Sequence, residues 1–164
     1  MAVAKAINKA SDLLDKVCSI IVVVLLAGMV LVTTMQIICR VFFDALTWSE
    51  EVARYLLVWS TFIGAGCVYK KGGHISVLIA QELLPGKLRK LVQILVHLLC
   101  GAFFAITLYY GFKYMRMQGN QLSAALRIPM RLMYMAIPIG CGIMLFHAFN
   151  AIIQILFEKE VAAQ

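Results

Sequence analysis

The chain has 164 residues, of which 63% are hydrophobic and 14% are charged, and its formal net charge is +7. A soluble domain of this size could not hide so much apolar surface from water, so the composition excludes an ordinary soluble protein. A basic excess can indicate a nucleic acid partner. Here the Lys and Arg residues flank the apolar runs, where they fix orientation and meet anionic lipid, so membrane lipids and no nucleic acid are the expected partners.

The N-terminal residues 1–16 predict an amphipathic arm. Apolar residues recur there at helical spacing, and the opposite face carries Lys5, Lys9, Asp12 and Lys16. Such a helix would lie on the membrane surface or would continue into the first membrane span. The pattern leaves both arrangements open.

Four long apolar runs predict an all-α integral membrane protein with four transmembrane helices in one domain. They occupy residues 17–38, 52–69, 91–112 and 132–157. Each run is long enough to cross ~30 Å of hydrocarbon at ~1.5 Å per residue, and a backbone in lipid must satisfy its own hydrogen bonds. The first run is longer than a signal-peptide core and no cleavage pattern follows it closely, so we expect an uncleaved signal anchor.

The distribution of Lys and Arg predicts that both termini lie in the cytoplasm. Nine of these residues lie on one side of the predicted spans and six on the other, and the richer side is normally cytoplasmic. Five residues of the richer side are expected to anchor helix ends at the lipid interface: Lys70, Lys71, Lys87, Arg89 and Lys90.

The segment before the second span predicts a helix start. Thr47 and Glu50 fit a capping box, in which a hydroxyl and a carboxylate satisfy free N–H groups, so the helix should begin near Trp48. Acidic Glu50 and Glu51 would then lie at the positive end of the helix dipole. Trp48 and Tyr55 are typical of an aromatic belt at the membrane interface.

Arg54 follows one helical turn after Glu50 and Glu51, at spacings that allow ion pairs within the helix. Its side chain would reach the membrane interface by snorkelling, which is the commoner arrangement, or would form a buried salt bridge with a partner subunit. The spacing does not decide between the two.

Shorter patterns predict local features of the other segments. Residues 74–84 are too short to span and indicate an interfacial helix, and residues 123–129 indicate a short helical stretch that ends before a proline. Pro138 predicts a kink in the fourth span. Small residues four apart, Ser60 with Gly64 and Thr61 with Ala65, are a weak sign of close helix packing.

Few residues could carry chemistry. The five cysteines are not paired as C-x-x-C and are interpreted as packing residues. His97 and His147 could ligate a haem between two spans, which would make the chain a haem-binding membrane anchor of a redox enzyme. No Asp or Glu lies deep in a span, so a proton-coupled carrier is disfavoured, while a self-sufficient oligomeric channel stays open. No catalytic pattern is visible, and we predict that the chain is not an enzyme.

Particular motifs resemble a known transporter family. They are Trp48-Ser-Glu-Glu-Val-Ala-Arg54-Tyr-Leu-Leu-Val-Trp59, Gly64-Ala65, Gly72-Gly-His74-Ile75, Ser123-Ala-Ala-Leu126, Ile128-Pro129, Tyr134 and Ile137-Pro138-Ile139-Gly140. Together with the length and the four spans, they resemble the small membrane subunit (DctQ-type) of tripartite ATP-independent periplasmic (TRAP) transporters. One departure is Arg127, where the family often has glycine.

The resemblance implies a function. Such a subunit pairs with a large multi-span membrane subunit, which binds substrate and sodium and moves as an elevator, while a periplasmic binding protein delivers an organic acid such as a dicarboxylate or sialic acid. We therefore expect a scaffold subunit in the bacterial inner membrane, with no cofactor of its own. The candidates for the partner interface or docking surface are Arg40, Trp48, Glu50, Glu51, Arg54, Tyr55 and Trp59.

Overall fold

The computed structural model describes residues 2–71 and 86–161, with side chains for 5–71 and 88–156. The described helices are α1 (Ala2–Phe42), α2 (Ser49–Lys70), α3 (Gly86–Met117), α4 (Arg131–Tyr134) and α5 (Ala136–Val161). Four segments are long and apolar enough to span a membrane: Lys5–Phe42, Ser49–Lys70, Leu88–Met117 and Arg131–Leu156. The all-α fold with four predicted spans is therefore confirmed. The interfacial helix predicted at 74–84 lies outside the described residues.

The N-terminal arm continues into the first span as one helix. α1 has 41 residues, which corresponds to a length of about 60 Å. The segment before the first span contains neither proline nor glycine to interrupt the hydrogen-bond ladder. Of the two arrangements that the pattern left open, the structure has the continuous helix.

The helices pack in the order α1, α2, α5, α3, and the N-terminal half of α1 also contacts α5. Cys18, Ile63 and Cys67 form a buried cluster between α1 and α2. A second cluster joins α2, α3 and α5 and consists of Tyr69, Phe104, Cys141, Met144 and Ala148. The central helices α2 and α5 are therefore the more buried pair, whereas α1 and α3 keep long apolar faces exposed.

Two glycines allow α2 and α5 to approach closely. A Cβ atom on Gly140 would lie 2.8 Å from the Phe62 carbonyl oxygen, and one on Gly66 would lie 2.6 Å from the Ile143 side chain. Small residues permit such contacts between membrane helices. Of the residues that the small-residue pattern indicated, Gly64 faces α1 instead, where a Cβ would make an ordinary 3.8 Å contact with Val22.

The fourth span is interrupted near its start, between α4 and α5. Pro138 has no N–H to donate to the Tyr134 carbonyl, and its ring crowds that carbonyl. The regular pattern of helical hydrogen bonds is therefore interrupted at Met135. Met135 keeps right-handed helical angles (φ −60°, ψ −24°), so the chain direction continues. The proline therefore coincides with a local break, with Pro138 in the first turn of α5, while the predicted kink stays a prediction.

The helical stretch predicted at 123–129 is wrong, because these residues form a closed turn. The Ser123 amide donates to the Ile128 carbonyl (2.9 Å), and the Met130 amide donates to the Gln121 carbonyl (2.8 Å). Arg127 has φ 56°, in the left-handed region that glycine adopts most easily. A left-handed residue cannot continue a right-handed helix, so the chain turns back at this point.

Candidate interaction site at the loop end

The α1–α2 loop (residues 43–48) and the α3–α4 loop (residues 118–130) lie at the same end of the bundle, which we call the loop end. Glu51 connects them. Its Oε2 accepts hydrogen bonds from the backbone amides of Ala125 and Leu126, both at 2.9 Å. Its Oε1 accepts a hydrogen bond from the Tyr55 hydroxyl. A carboxylate in the first turn of α2 thus holds the backbone of the α3–α4 turn.

The donors that Glu51 satisfies would otherwise have no partner in regular secondary structure. Hydrogen bonds from N–H groups to an ionised carboxylate are stronger than bonds between neutral groups. Ser123 completes the turn, because its Oγ accepts from the Ile128 amide at 3.2 Å. Tyr55 also lies 3.5 Å from the Met130 sulfur, on the far side of the turn. The turn is therefore held against α2 at both of its ends.

The capping box predicted for Thr47 and Glu50 is wrong, although the predicted start of α2 is confirmed. Trp48 is the N-cap residue, and no side chain bonds to the cap. The Glu50 carboxylate, which would have completed the box, instead accepts a hydrogen bond from Gln36 of α1. Ser49 is fully buried, and its hydroxyl donates to the Leu46 carbonyl at 2.8 Å.

Glu50 faces α1. The Gln36 side-chain amide donates to its Oε1 at 3.4 Å, across the α1–α2 contact. Both residues line a cleft of about 400 Å³ together with Arg40 and Thr47. The structure thus brings Arg40 and Glu50 to the loop end, as the sequence predicted, and Glu50 also lines the cleft beside the Glu51 turn.

Arg54 lines a second cleft, of about 550 Å³, which lies between the start of α2 and the α3–α4 turn. Its side chain is exposed. Within the described residues the ion pair is Lys70 with Asp12, so the pairs of Arg54 with Glu50 or Glu51 that the spacing allows are not formed. Glu51 instead accepts the amides of Ala125 and Leu126 and the Tyr55 hydroxyl.

The two tryptophans occupy different levels of the bundle. Trp48 is partly buried at the start of α2, beside the clefts. Trp59 lies 11 residues further along, or about 16 Å, and packs against the Cys18, Ile63 and Cys67 cluster. The structure therefore places Trp59 inside the bundle and away from the other interface candidates.

Polar side chains also join the helices at the opposite end, which we call the terminal end because it contains the N-terminal half of α1. The buried Ser11 hydroxyl lies 2.9 Å from His147 Nδ1. The Asn150 amide donates to Asn8 at 3.2 Å, one turn further along both helices. These contacts fasten α1 to α5, and sequence reasoning missed them. The available signal was the small polar residue Ser11 on the apolar face of the arm.

The residues predicted as lipid anchors are found at this terminal end. Lys71 and Arg89 are exposed and Lys90 is partly exposed, while the side chain of Lys87 lies outside the described residues. Lys70 instead forms an ion pair with Asp12 of α1 at 2.7 Å. Four of the five anchors can thus be located, and one of them also links α2 to α1.

The two histidines proposed as haem ligands each contact a hydroxyl group of another helix. His97 Nδ1 lies 2.8 Å from the Tyr69 hydroxyl, and His147 Nδ1 contacts Ser11. Both contacts match the neighbour-bonded arrangement that is commoner for single membrane histidines. The absence of a cofactor in this chain stays a prediction.

These features define a class of protein: a small multi-pass inner-membrane protein whose charged groups are confined to helix ends. The family model for tripartite ATP-independent periplasmic transporters, DctQ component, matches residues 29–158. The chain therefore belongs to the DctQ family of TRAP transporter small permease subunits. As members of a transporter, such subunits are not enzymes, and this prediction is confirmed.

Individual relatives agree with the family. The chain is 23% identical over 145 residues to the sialic acid TRAP transporter small permease protein SiaQ of Vibrio cholerae, which covers 88% of this chain and 84% of that protein. It is 32% identical over 104 residues to the C4-dicarboxylate TRAP transporter small permease protein DctQ of Rhodobacter capsulatus, covering 62% and 45%.

A third relative is much longer. The chain is 27% identical over 117 residues to the sialic acid TRAP transporter permease protein SiaT of Haemophilus influenzae. The match covers 71% of this chain but only 19% of SiaT. A segment similar to this chain is thus part of a larger permease polypeptide in that organism.

Proposed function

We propose that the chain is the scaffold subunit of a sodium-coupled importer for an organic acid of the sialic acid or C4-dicarboxylate type. It would hold a large elevator-type membrane subunit, which binds substrate and sodium, and a periplasmic binding protein would deliver the substrate. Both termini would lie in the cytoplasm, so the loop end would face the periplasm.

The distribution of charge carries this proposal. Residues 17–39, 55–69, 91–112 and 132–157 contain no Asp, Glu, Lys or Arg. A subunit that moves a charged solute needs polar or ionic groups near the midplane of the membrane. Three hydroxyl groups within these helices, those of Thr33, Thr61 and Thr107, donate to the backbone of their own helix. These hydroxyl donors are thus not free to coordinate a passing anion.

The exposed apolar faces support a partner within the membrane. α1 and α3 lie at the edges of the bundle, and large apolar side chains such as Val24, Leu31 and Phe103 are more than half exposed. Lipid can cover such faces, and so can the helices of another subunit. The fused arrangement of the SiaT relative supports a second subunit, because its matching segment shares one polypeptide with a much longer sequence.

Reconstitution tests the proposal directly. Proteoliposomes would contain a large TRAP permease subunit, with and without this chain, and would receive the binding protein and an inward sodium gradient. We expect substrate uptake only when both membrane subunits are present. Uptake by the large permease alone at the full rate would contradict the scaffold role.

Liposomes that contain this chain alone provide the matched control. We expect no sodium-driven uptake and no passive flux of sialic acid or dicarboxylates, since the helices have no deep ionic groups. Flux through the chain by itself would instead support the oligomeric channel. A Soret absorption band in the purified chain, lost in His97→Ala or His147→Ala, would support the haem-binding anchor.

A further inference from the structure

We infer that Arg54 is the recognition residue of this subunit, and that its guanidinium forms an ion pair with a carboxylate of the large membrane subunit in the cleft beside the α3–α4 turn. The inference rests on the proposed function and adds the residue, the chemistry and the location of one contact. Its starting point is an exposed arginine near the start of α2 that forms no ion pair with an acidic side chain of the described residues.

Arg54 has two acidic neighbours, and the structure turns both elsewhere. The Glu51 carboxylate accepts the amides of the α3–α4 turn. The Glu50 carboxylate lines the same cleft as Arg54, but it accepts a hydrogen bond from Gln36 of α1 and forms no ion pair with Arg54. Without these contacts, Arg54 could pair with Glu51 at i,i+3 or with Glu50 at i,i+4, since both spacings favour ion pairs within a helix. The fold thus leaves the guanidinium available.

The cleft gives the guanidinium a defined surrounding. Its walls are the first two turns of α2, which contribute Glu50, Glu51, Arg54 and Tyr55, and the α3–α4 turn, which contributes Gln121, Ser123 and Ala124. The volume of about 550 Å³ can receive one or two side chains of a partner. Arginine suits such a position because its planar fork binds a carboxylate through two parallel hydrogen bonds.

Depth favours the membrane subunit over the soluble binding protein as the source of the carboxylate. Arg54 lies five residues inside α2, about 8 Å along the helix from Ser49. A group that meets it there must reach the level of the membrane interface. A helix end or loop of another membrane protein occupies that level, and a charge placed there needs a partner.

Charge variants in the assembled complex test the inference. The two membrane subunits would be co-expressed and purified through a tag on the large one, and the amount of this chain recovered would be measured. We expect Arg54→Glu to lower recovery at least roughly tenfold, because it places like charges together. Arg54→Gln should lower recovery less, and Arg54→Lys least.

Arg116→Glu is the matched control, since it reverses an exposed arginine in the last turn of α3, at the same end of the bundle but outside this cleft. It should leave recovery within about twofold of the unmodified chain. Circular dichroism and gel filtration of each variant alone would show that the helices still form. In a second step, acidic residues of the large subunit would be changed to arginine one at a time, and one of these should restore binding of Arg54→Glu.

The outcomes separate the inference from the proposed function. If the unmodified chain is not recovered with the large permease, the proposed function fails. If it is recovered and Arg54→Glu is recovered equally well, the ion pair is refuted while the scaffold role stands. A loss of bound phospholipid in Arg54→Glu, with unchanged recovery of the complex, would assign the guanidinium to a lipid phosphate and would also refute the inference.

Discussion

At the loop end, one carboxylate holds the backbone of a turn that lies 74 residues further along the chain, whereas at the terminal end pairs of neutral side chains join α1 to α5. Ser11 and His147 are almost fully buried, but Arg54 beside the turn is exposed. Buried polar groups must satisfy each other, because water cannot reach them. The terminal end therefore fastens the bundle internally, while the loop end keeps charge available to another molecule.

The largest expected effect comes from the α2–α5 contact that supports both ends. Gly140→Ala would place a Cβ 2.8 Å from the Phe62 carbonyl oxygen, so the helices must separate. We expect a loss of about 1–3 kcal/mol in the free energy of unfolding, measured by unfolding in mixed micelles. Gly142→Ala is the control, since its Cβ would meet Leu108 at an ordinary 3.8 Å. Equal stability of the two variants would contradict this account.

Next in size is the loss of the charge that holds the turn. Glu51→Gln keeps the shape of the side chain but weakens the bonds from Ala125 and Leu126. We expect these two amides to exchange with deuterium roughly tenfold faster, while amides at the terminal end keep their rates. Glu50→Gln serves as the control because Glu50 has no contact with the turn amides. Unchanged exchange in Glu51→Gln would show that the turn closes without the carboxylate.

The corresponding change at the terminal end is Ser11→Ala. It removes the contact of His147 Nδ1 at a site where His147 is only 2% exposed. An unsatisfied buried group costs about 1–3 kcal/mol, and we expect the free energy of unfolding in detergent to fall by an amount near the lower limit. Thr33→Ala should have almost no effect, since Thr33 is exposed and bonds only to its own helix. A larger loss of stability in Thr33→Ala than in Ser11→Ala would contradict a stabilising role for the contact between Ser11 and His147.

A smaller gain is expected in the turn itself. Arg127→Gly relieves a left-handed backbone (φ 56°) at the position where the family often has glycine. We expect a stabilisation of about 0.5–1 kcal/mol, because the backbone strain relieved in the folded state exceeds the conformational entropy that glycine adds to the unfolded chain. Arg127→Ala removes the same charge but keeps the strain, so it should show no gain. Thermal unfolding of the two variants side by side provides the measurement.

The smallest effect concerns the ion pair at the terminal end. Lys70 and Asp12 are 2.7 Å apart, but the Asp12 side chain is 61% exposed. Exposed pairs contribute little, so Lys70→Ala should change the free energy of unfolding by less than about 0.5 kcal/mol. Asp12→Ala should behave in the same way. A loss several times larger in either variant would mean that the pair lies in a drier environment than its exposure indicates.

Much of the fold follows from local patterns in the sequence. Apolar length predicts the four spans, and acidic residues after Trp48 predict where α2 begins. Two local predictions failed for a common reason. Thr47 and Glu50 match a capping box by spacing, but Glu50 bonds to Gln36 of α1 instead. Residues 123–129 resemble a short helix, but Arg127 adopts a left-handed angle and the turn amides bond to Glu51 of α2. In both places, contacts with distant residues override the local preference.

The candidate site was predicted in composition but not in arrangement. Arg40, Glu50, Glu51 and Arg54 were proposed as one polar cluster, and all four lie at the loop end. Glu50, Glu51 and Arg54 line one cleft, but their partners differ: Glu50 bonds to Gln36, Glu51 bonds to the α3–α4 turn, and Arg54 is exposed. No sequence spacing could assign Glu51 to amides 74 and 75 residues away. Their role as a partner interface stays a prediction.

By itself, the sequence determined that this protein lies in a membrane, that it has four spans and that charge is kept from their interiors, since hydrophobic length and the cost of burying charge are properties of each segment alone. Only the tertiary structure decided that the arm continues α1, that Gly66 and Gly140 bring α2 and α5 together, and that Arg54 has no acidic partner among the described residues. Those outcomes depend on which helix faces meet, and a hydrogen bond between distant segments forms only where packing brings its two groups within about 3 Å.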